Sequence, residues 1–318
     1  MESKKGIHGH LLVSVTVFIW GTTFISTKIL LRSFSPVAIL FLRFLTGFLA
    51  LLLVYPHRLR VEERKRELYF AGAGLCGITL YYLLENMALI YSFASNVGVI
   101  ISTAPFFTAM LAHFFPGGEK LRLRFFAGFV VALTGIFLIS VNGVTNFQLN
   151  PLGDLFALLA AMLWAVYSVL TRKIGEFGYN NILVTRRIFF YGLVLALPAL
   201  FFFPLDLEVN QVIQPVNIFN ILFLGLGASA LCFATWNAAL KILGAVKTSA
   251  YIYMVPVVTA ASSSIVLSEK ITGLALLGII LTLAGLFISQ GKTGTGRGKG
   301  KGKGKEVKGM GGFRDRQL

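Results

Sequence analysis

Glu85 is the one carboxylate that lies deep within an apolar run of this 318-residue chain. An unpaired charge at the centre of a membrane helix costs at least ~2.5 kcal/mol, so such a group calls for a reason. It stands about six residues, roughly 9 Å at 1.5 Å per residue, from the end of its run. Arg43 stands about seven residues in from the facing end of the preceding run. The matched depths allow two readings. One is a permanent ion pair between helices. In the other, Glu85 carries a proton or binds a substrate ammonium, and Arg43 is free for a carboxylate. The sequence leaves both open.

Aromatic and amide groups cluster around these charges in the chain. Tyr81, Tyr82 and Asn86 lie within a turn or so of Glu85, and Trp164 and Tyr167, three apart, share a helix face. Trp236 and Asn237 form a third cluster, with Tyr251 beyond it and Trp20 near the start of the chain. A pocket for a small zwitterion needs aromatic walls and a few hydrogen-bonding groups. The substrate-binding candidates are therefore Trp20, Arg43, Tyr81, Tyr82, Glu85, Asn86, Trp164, Tyr167, Asn237 and Tyr251. For any single aromatic, plain packing competes with this reading. For Asn86 and Asn237 the competing partner is the backbone of a neighbouring helix.

Other ionisable groups read as structural. Lys28 near a helix end, and Arg186 and Arg187 within two turns of one, suit snorkelling to the interface. His113 reads as interfacial, with proton coupling as the alternative. Cys76 and Cys232 fall inside apolar runs as small buried hydrophobes, with no disulfide or metal framework. Zinc-ligand spacing, paired intramembrane aspartates and a serine–histidine arrangement are all missing from the sequence, so no catalytic residue, metal or cofactor is expected.

Pro105 and Pro256 sit in mid-run. Each removes a backbone hydrogen bond and presses on the carbonyl four residues earlier, Ile101 and Ile252. They are hinge candidates, with a static kink as the alternative. Gly128 and Gly135, and Gly278 and Gly285, are spaced seven apart on one helix face and read as packing residues.

The elements that must position these groups are membrane helices. Hydrophobic residues make up 56% of the chain and charged ones 13%, against about 25% charged in soluble domains. A span needs about 20 apolar residues. Ten such runs occur, near 11–31, 36–55, 68–91, 94–115, 124–142, 152–174, 181–203, 217–240, 245–267 and 273–290. The fold expected is all-α, an integral membrane protein of ten transmembrane helices.

Those ten helices are five written twice. Trp20, Thr27 and Lys28 match Trp164, Thr171 and Arg172 at an offset of 144. Asn86-Met-Ala88-Leu89 matches Asn237-Ala-Ala239-Leu240, and Pro105 matches Pro256, at 151. Glu119-Lys120 and the glycine pairs match Glu269-Lys270 and their counterparts at 150. Five is odd, so the second copy enters from the opposite side. Inverted repeats of this kind build a site near the bilayer midplane that either side can reach.

The net charge of +16 follows membrane topology rather than nucleic-acid binding. Lys4, Lys5, Arg58, Arg60, Arg64, Lys65, Arg66, Lys120, Arg122, Arg124, Arg172, Lys173, Lys241 and Lys247 flank alternate helix ends, while loops 92–95, 143–153 and 205–217 carry no Lys or Arg; Arg32 and Lys270 alone sit on the wrong side. The positive-inside rule then places both termini in the cytoplasm of a cell inner membrane. The first run has no small-residue cleavage site and reads as an anchor rather than a removed signal.

Expected boundaries are a cytoplasmic N-terminus at 1–10, a first repeat at 11–142, a second at 152–290 and a tail at 291–318. The tail alternates Gly and Lys from Gly298 to Lys305. It cannot bury enough apolar area to order itself and would brush anionic lipid head groups. Gly291-Lys292-Thr293 lacks the upstream glycine and strand of a phosphate loop.

The ordered set of Trp20-Gly21-Thr-Thr-Phe24, Arg43-Phe44, Tyr81-Tyr82, Ala88-Leu89, Ala94-Ser95, Pro105, Glu119-Lys120, the Gly153-to-Ala165 segment, Asn237-Ala-Ala239-Leu240, Pro256 and Glu269-Lys270 resembles the EamA-like permeases of the drug/metabolite transporter superfamily. The likeness spans about 10–290. It implies a secondary carrier, often an exporter, for small metabolites, amino acids or drug-like compounds. Glu85 departs from the common pattern of that family.

The expectation is a carrier that exports amino acids or related amphipathic compounds by alternating access, around a cavity lined by helices 1, 3, 4, 6, 8 and 9. Its partners would be a small-molecule substrate and the lipid bilayer, with protons a candidate coupling ion and no nucleic acid. The alternatives are a facilitator or exchanger for sugars, organic acids or drug-like compounds, and a channel.

Overall fold

A computed structural model describes residues 2–92, 94–114, 123–140, 150–202, 205, 207–267 and 272–290. The basic tail at 291–318, the Glu119-Lys120 and Glu269-Lys270 pairs, and residues 141–149 lie outside them. The described residues are helical with no strand.

Among the described residues ten long helices follow one another, with one short helical turn (Val209–Val212) between the seventh and eighth: α1 (Glu2–Leu30), α2 (Pro36–Val54), α3 (Arg64–Tyr91), α4 (Ala94–Ile101 and Ala104–Phe114), α5 (Leu123–Ser140), α6 (Pro151–Glu176), α7 (Asn181–Phe201), α8 (Pro215–Leu243), α9 (Ala245–Ala250, Tyr251–Tyr253 and Met254–Leu267) and α10 (Gly273–Gln290). Seven stretches are individually long and apolar enough to cross a membrane, one in each of α1–α4 and α6–α8. α5 and α10 have shorter apolar cores, and α9 is interrupted. α1 is helical from Glu2, so the helix already runs through residues 2–10 ahead of the first apolar run. Large apolar side chains such as Phe18, Leu53, Phe201 and Phe219 are left exposed on the outside of the bundle. In water that would be costly, whereas lipid tails solvate them.

Helix starts are locally encoded. Ser35 caps α2, its hydroxyl accepting from the Ala38 N–H, with Pro36 in the first turn. Asn180 caps α7 through the N–H groups of Ile182 and Leu183.

The repeat is visible in the irregularities. α3 widens to a π-helix over Leu75–Leu80, and α8 does so over Phe223–Leu231. With the offset of 151, the first falls within the second. α4 breaks at Ser102–Thr103 and α9 passes through a 3-10 turn at Tyr251–Tyr253, each immediately ahead of its proline. The carbonyls freed by Pro105 and Pro256 belong to Ile101 and Ile252, which lie at those breaks.

Glycines let backbones meet. A Cβ on Gly135 would lie 2.5 Å from the Gly278 carbonyl, and one on Gly128 would lie 2.6 Å from that of Gly285, so α5 and α10, the last helices of the two repeats, pack face to face. A Cβ on Gly21 would meet Val258 at 2.6 Å, which fixes α9 against α1. There Thr259 donates its hydroxyl to the Gly21 carbonyl at 2.6 Å.

Candidate functional site

A cavity of about 530 Å³, part of it open, lies between the two repeats. α1 contributes Trp20, Thr23 and Phe24, and α2 contributes Arg43. α3 adds Tyr81, Tyr82 and Glu85, immediately past its π-helical turn, and α4 adds Gly98, Ile101 and Ser102 at its break. The second repeat supplies Trp164 from α6, and Ile252 and Val255 from α9.

Arg43 and Glu85 share this cavity but form no ion pair. Among the described residues the ion pairs are those of Arg66 with Glu62 and Glu63, Lys173 with Glu176, and Arg187 with Glu67. Arg43 is held otherwise. Its Nε donates to Ser229 Oγ at 2.7 Å, and its guanidinium carbon sits 4.4 Å from the centre of the Tyr82 ring, a cation–π contact. Glu85 is 7% exposed, and its Oε2 is buried without a hydrogen-bond partner. The Trp164 indole N–H is likewise buried and unpartnered. Buried polar groups are rarely left so. Glu85 and Trp164 both belong to the cavity lining.

The aromatic walls are fixed by edge contacts. Trp20 and Trp164, equivalent by the offset of 144, meet edge-to-face with centroids 5.1 Å apart. Trp20 also donates its indole N–H to the Ala228 carbonyl at 3.0 Å. Tyr81 packs on Tyr82 at 4.8 Å and on Trp164 at 5.0 Å.

Four of the expected binding residues lie elsewhere. Asn86 donates to the Pro36 carbonyl at 3.0 Å, tying α3 to the start of α2. Tyr167 donates to Asn237 Oδ1 at 2.6 Å, and Asn237 Nδ2 donates to Thr185 Oγ1 at 3.0 Å, a buried chain across α6, α8 and α7. Tyr251 pairs its hydroxyl with His10 Nδ1 at 2.7 Å. Each amide or phenol answers the need of a buried polar group from a neighbouring helix, away from the cavity lining. The expected contribution of α8 also gives way to α2. The counterpart of Glu85 there is Trp236, fully buried against Trp20 at 5.0 Å, and Phe233 and Ser229 likewise stand behind the lining.

Snorkelling does not describe Arg186 and Arg187. Arg186 is buried and donates to the carbonyls of Tyr55, at 2.6 Å, and His57. Arg187 pairs with Glu67, which also accepts from the Tyr191 hydroxyl at 2.8 Å. Lys28 and His113 are exposed.

Cavity residues that the sequence reading passed over are Thr23, Phe24, Gly98, Ile101, Ser102, Ile252 and Val255. Ile101 and Ile252 carried a signal, as the carbonyls freed by the two prolines. Thr23 and Phe24 lie within the Trp20 motif, but nothing in the sequence marks Gly98.

The description of the EamA-like transporter family matches residues 7–141 and again 151–290. The chain belongs to the EamA-like transporter family. It is accordingly a multi-pass membrane transporter, with the ten-helix, inverted-repeat architecture of the superfamily. An uncharacterized transporter from Archaeoglobus fulgidus is 29% identical over 92% of this chain and 99% of its own length. A probable amino-acid metabolite efflux pump of Escherichia coli is 24% identical over 91% of this chain and 95% of its own. A solved crystal structure, 19% identical, superposes with a TM-score of 0.71 over 88% of this chain and 96% of that one, which shows the shared fold.

Proposed function

We propose that this transporter exports small zwitterions, amino acids or close relatives, by alternating access around the cavity between its repeats. The observation that carries the reading is that Arg43 and Glu85 line one aromatic-walled cavity without pairing with each other, Glu85 Oε2 having no hydrogen-bond partner. A substrate ammonium would satisfy Glu85 Oε2. A substrate carboxylate would accept from Arg43 and from the orphan Trp164 indole N–H. Charge-assisted hydrogen bonds of this kind are roughly twice as strong as neutral ones. The efflux activity in the name of the Escherichia coli relative supports both the substrate class and the outward direction.

In this account the breaks ahead of Pro105 and Pro256 are the hinges. They place flexible backbone in each repeat at the level of the cavity, where Ile101, Ser102 and Ile252 line it. The positive-inside charge pattern supports cytoplasmic termini in the inner membrane, and a downhill substrate gradient or proton exchange would supply the drive.

Counterflow in proteoliposomes tests the proposal. Vesicles are preloaded with unlabelled amino acids, organic acids or sugars and given labelled tracer. Saturable accumulation for amino acids, absent with the other preloads, is the expected result. Preference for organic acids or sugars would move the protein to the facilitator reading, and flux that never saturates would make it a channel.

A further inference from the structure

Gly98 stands out in the cavity wall because nothing fills the space beside it. A Cβ built there meets no atom within 4 Å, whereas Gly21, Gly74, Gly128, Gly135, Gly278 and Gly285 are all pressed against neighbours. Gly98 is therefore not a packing glycine. It lies on the first half of α4, which packs mainly against α6 and α5 and also touches the last part of α9. Around the same cavity, Ile101, Ile252 and Val255 offer only hydrocarbon. The charged groups of the lining, Arg43 and Glu85, come from α2 and α3 of the first repeat, while α9 brings no polar side chain to it.

We propose that Gly98, Ile101, Ile252 and Val255 form a side-chain subsite between the broken helices α4 and α9, and that the space left open at Gly98 sets the largest apolar group the carrier accepts. This rests on the zwitterion reading and extends it. The charges hold the common head group, and the α4–α9 wall selects among side chains. A hydrophobic pocket discriminates by volume, and each added or removed methylene changes preference about 10- to 200-fold. The glycine also costs helix stability, since alanine is the better helix former at such a position.

The full chain in proteoliposomes, assayed by counterflow with labelled L-alanine, L-leucine and L-phenylalanine, reads the subsite directly. Gly98→Val is expected to lower transport efficiency for phenylalanine relative to alanine by at least about tenfold, with Gly98→Ala intermediate. Val255→Ala, which enlarges the same wall, is expected to shift preference the other way. If wild type accepts none of the three, the zwitterion reading fails. If wild type accepts them and the Gly98 and Val255 variants change all three by one common factor, or leave them unchanged, the subsite is overturned while the carrier reading stands.

Discussion

Replacing Glu85 by Gln separates a binding carboxylate from a structural one, because the two make opposite predictions for stability. Glu85 Oε2 is buried and has no partner, and Arg43 is engaged with Ser229 and Tyr82 instead. Removing the charge therefore breaks no ion pair and relieves a desolvated carboxylate. Thermal unfolding in detergent should show a midpoint equal to or above that of wild type. Transport should fall. A hydrogen bond to a charged group is worth about 1.5–3 kcal/mol, and at 1.36 kcal/mol per tenfold its loss lowers transport efficiency about 10- to 150-fold. Breaking a buried ion pair would instead cost about 3–5 kcal/mol of stability. A lower unfolding midpoint with transport efficiency preserved in the surviving protein would refute the assignment.

Other perturbations read other parts of the molecule. Tyr167→Phe strands Asn237 Oδ1 in the α6–α8–α7 chain; it should cost about 1–3 kcal/mol in an unfolding titration and leave substrate KM unchanged, whereas a raised KM would return Tyr167 to the site. Gly278→Val should destabilise the α5–α10 contact by about 1–3 kcal/mol through overpacking, seen as a lowered unfolding midpoint, because a Cβ there already lies 2.6 Å from the Gly135 carbonyl. Pro105→Ala and Pro256→Ala allow the Ile101 and Ile252 carbonyls to regain helical bonds, and should slow turnover at unchanged tracer affinity; unchanged turnover would make the breaks static kinks.

The architecture was legible because membrane helices are written in composition. A 20-residue apolar run has few other fates, and motif pairs at nearly constant offset disclosed the doubling. The two prolines even indicated where α4 and α9 break. The cavity was legible only where a charge made it so. Arg43 and Glu85 announce themselves by the cost of burying them, and tryptophans related by the repeat, Trp20 and Trp164, are conspicuous. Asn86, Tyr167, Asn237 and Tyr251 bond to neighbouring helices outside the cavity lining, for one shared reason. A buried polar side chain shows that a partner exists but not whether the partner is a ligand or a helix, and that depends on rotation about the helix axis. The π-helical turns of α3 and α8 alter that rotation just ahead of Tyr81 and Cys232, and no residue pattern marks them. Apolar lining such as Val255, and the empty space beside Gly98, carry no sequence signal.

Access to the cavity from each side of the membrane tests alternating access most directly. A thiol introduced as Gly98→Cys, with Cys76 and Cys232 replaced by Ser and Ala, would project into the open space of the cavity. Membrane-impermeant maleimide is then applied to right-side-out and to inside-out vesicles, with and without substrate amino acid. The account predicts labelling from both sides in separate experiments, with each rate changed by substrate. Labelling from one side only, at a rate indifferent to every amino acid, would contradict a central site shared by two inverted repeats.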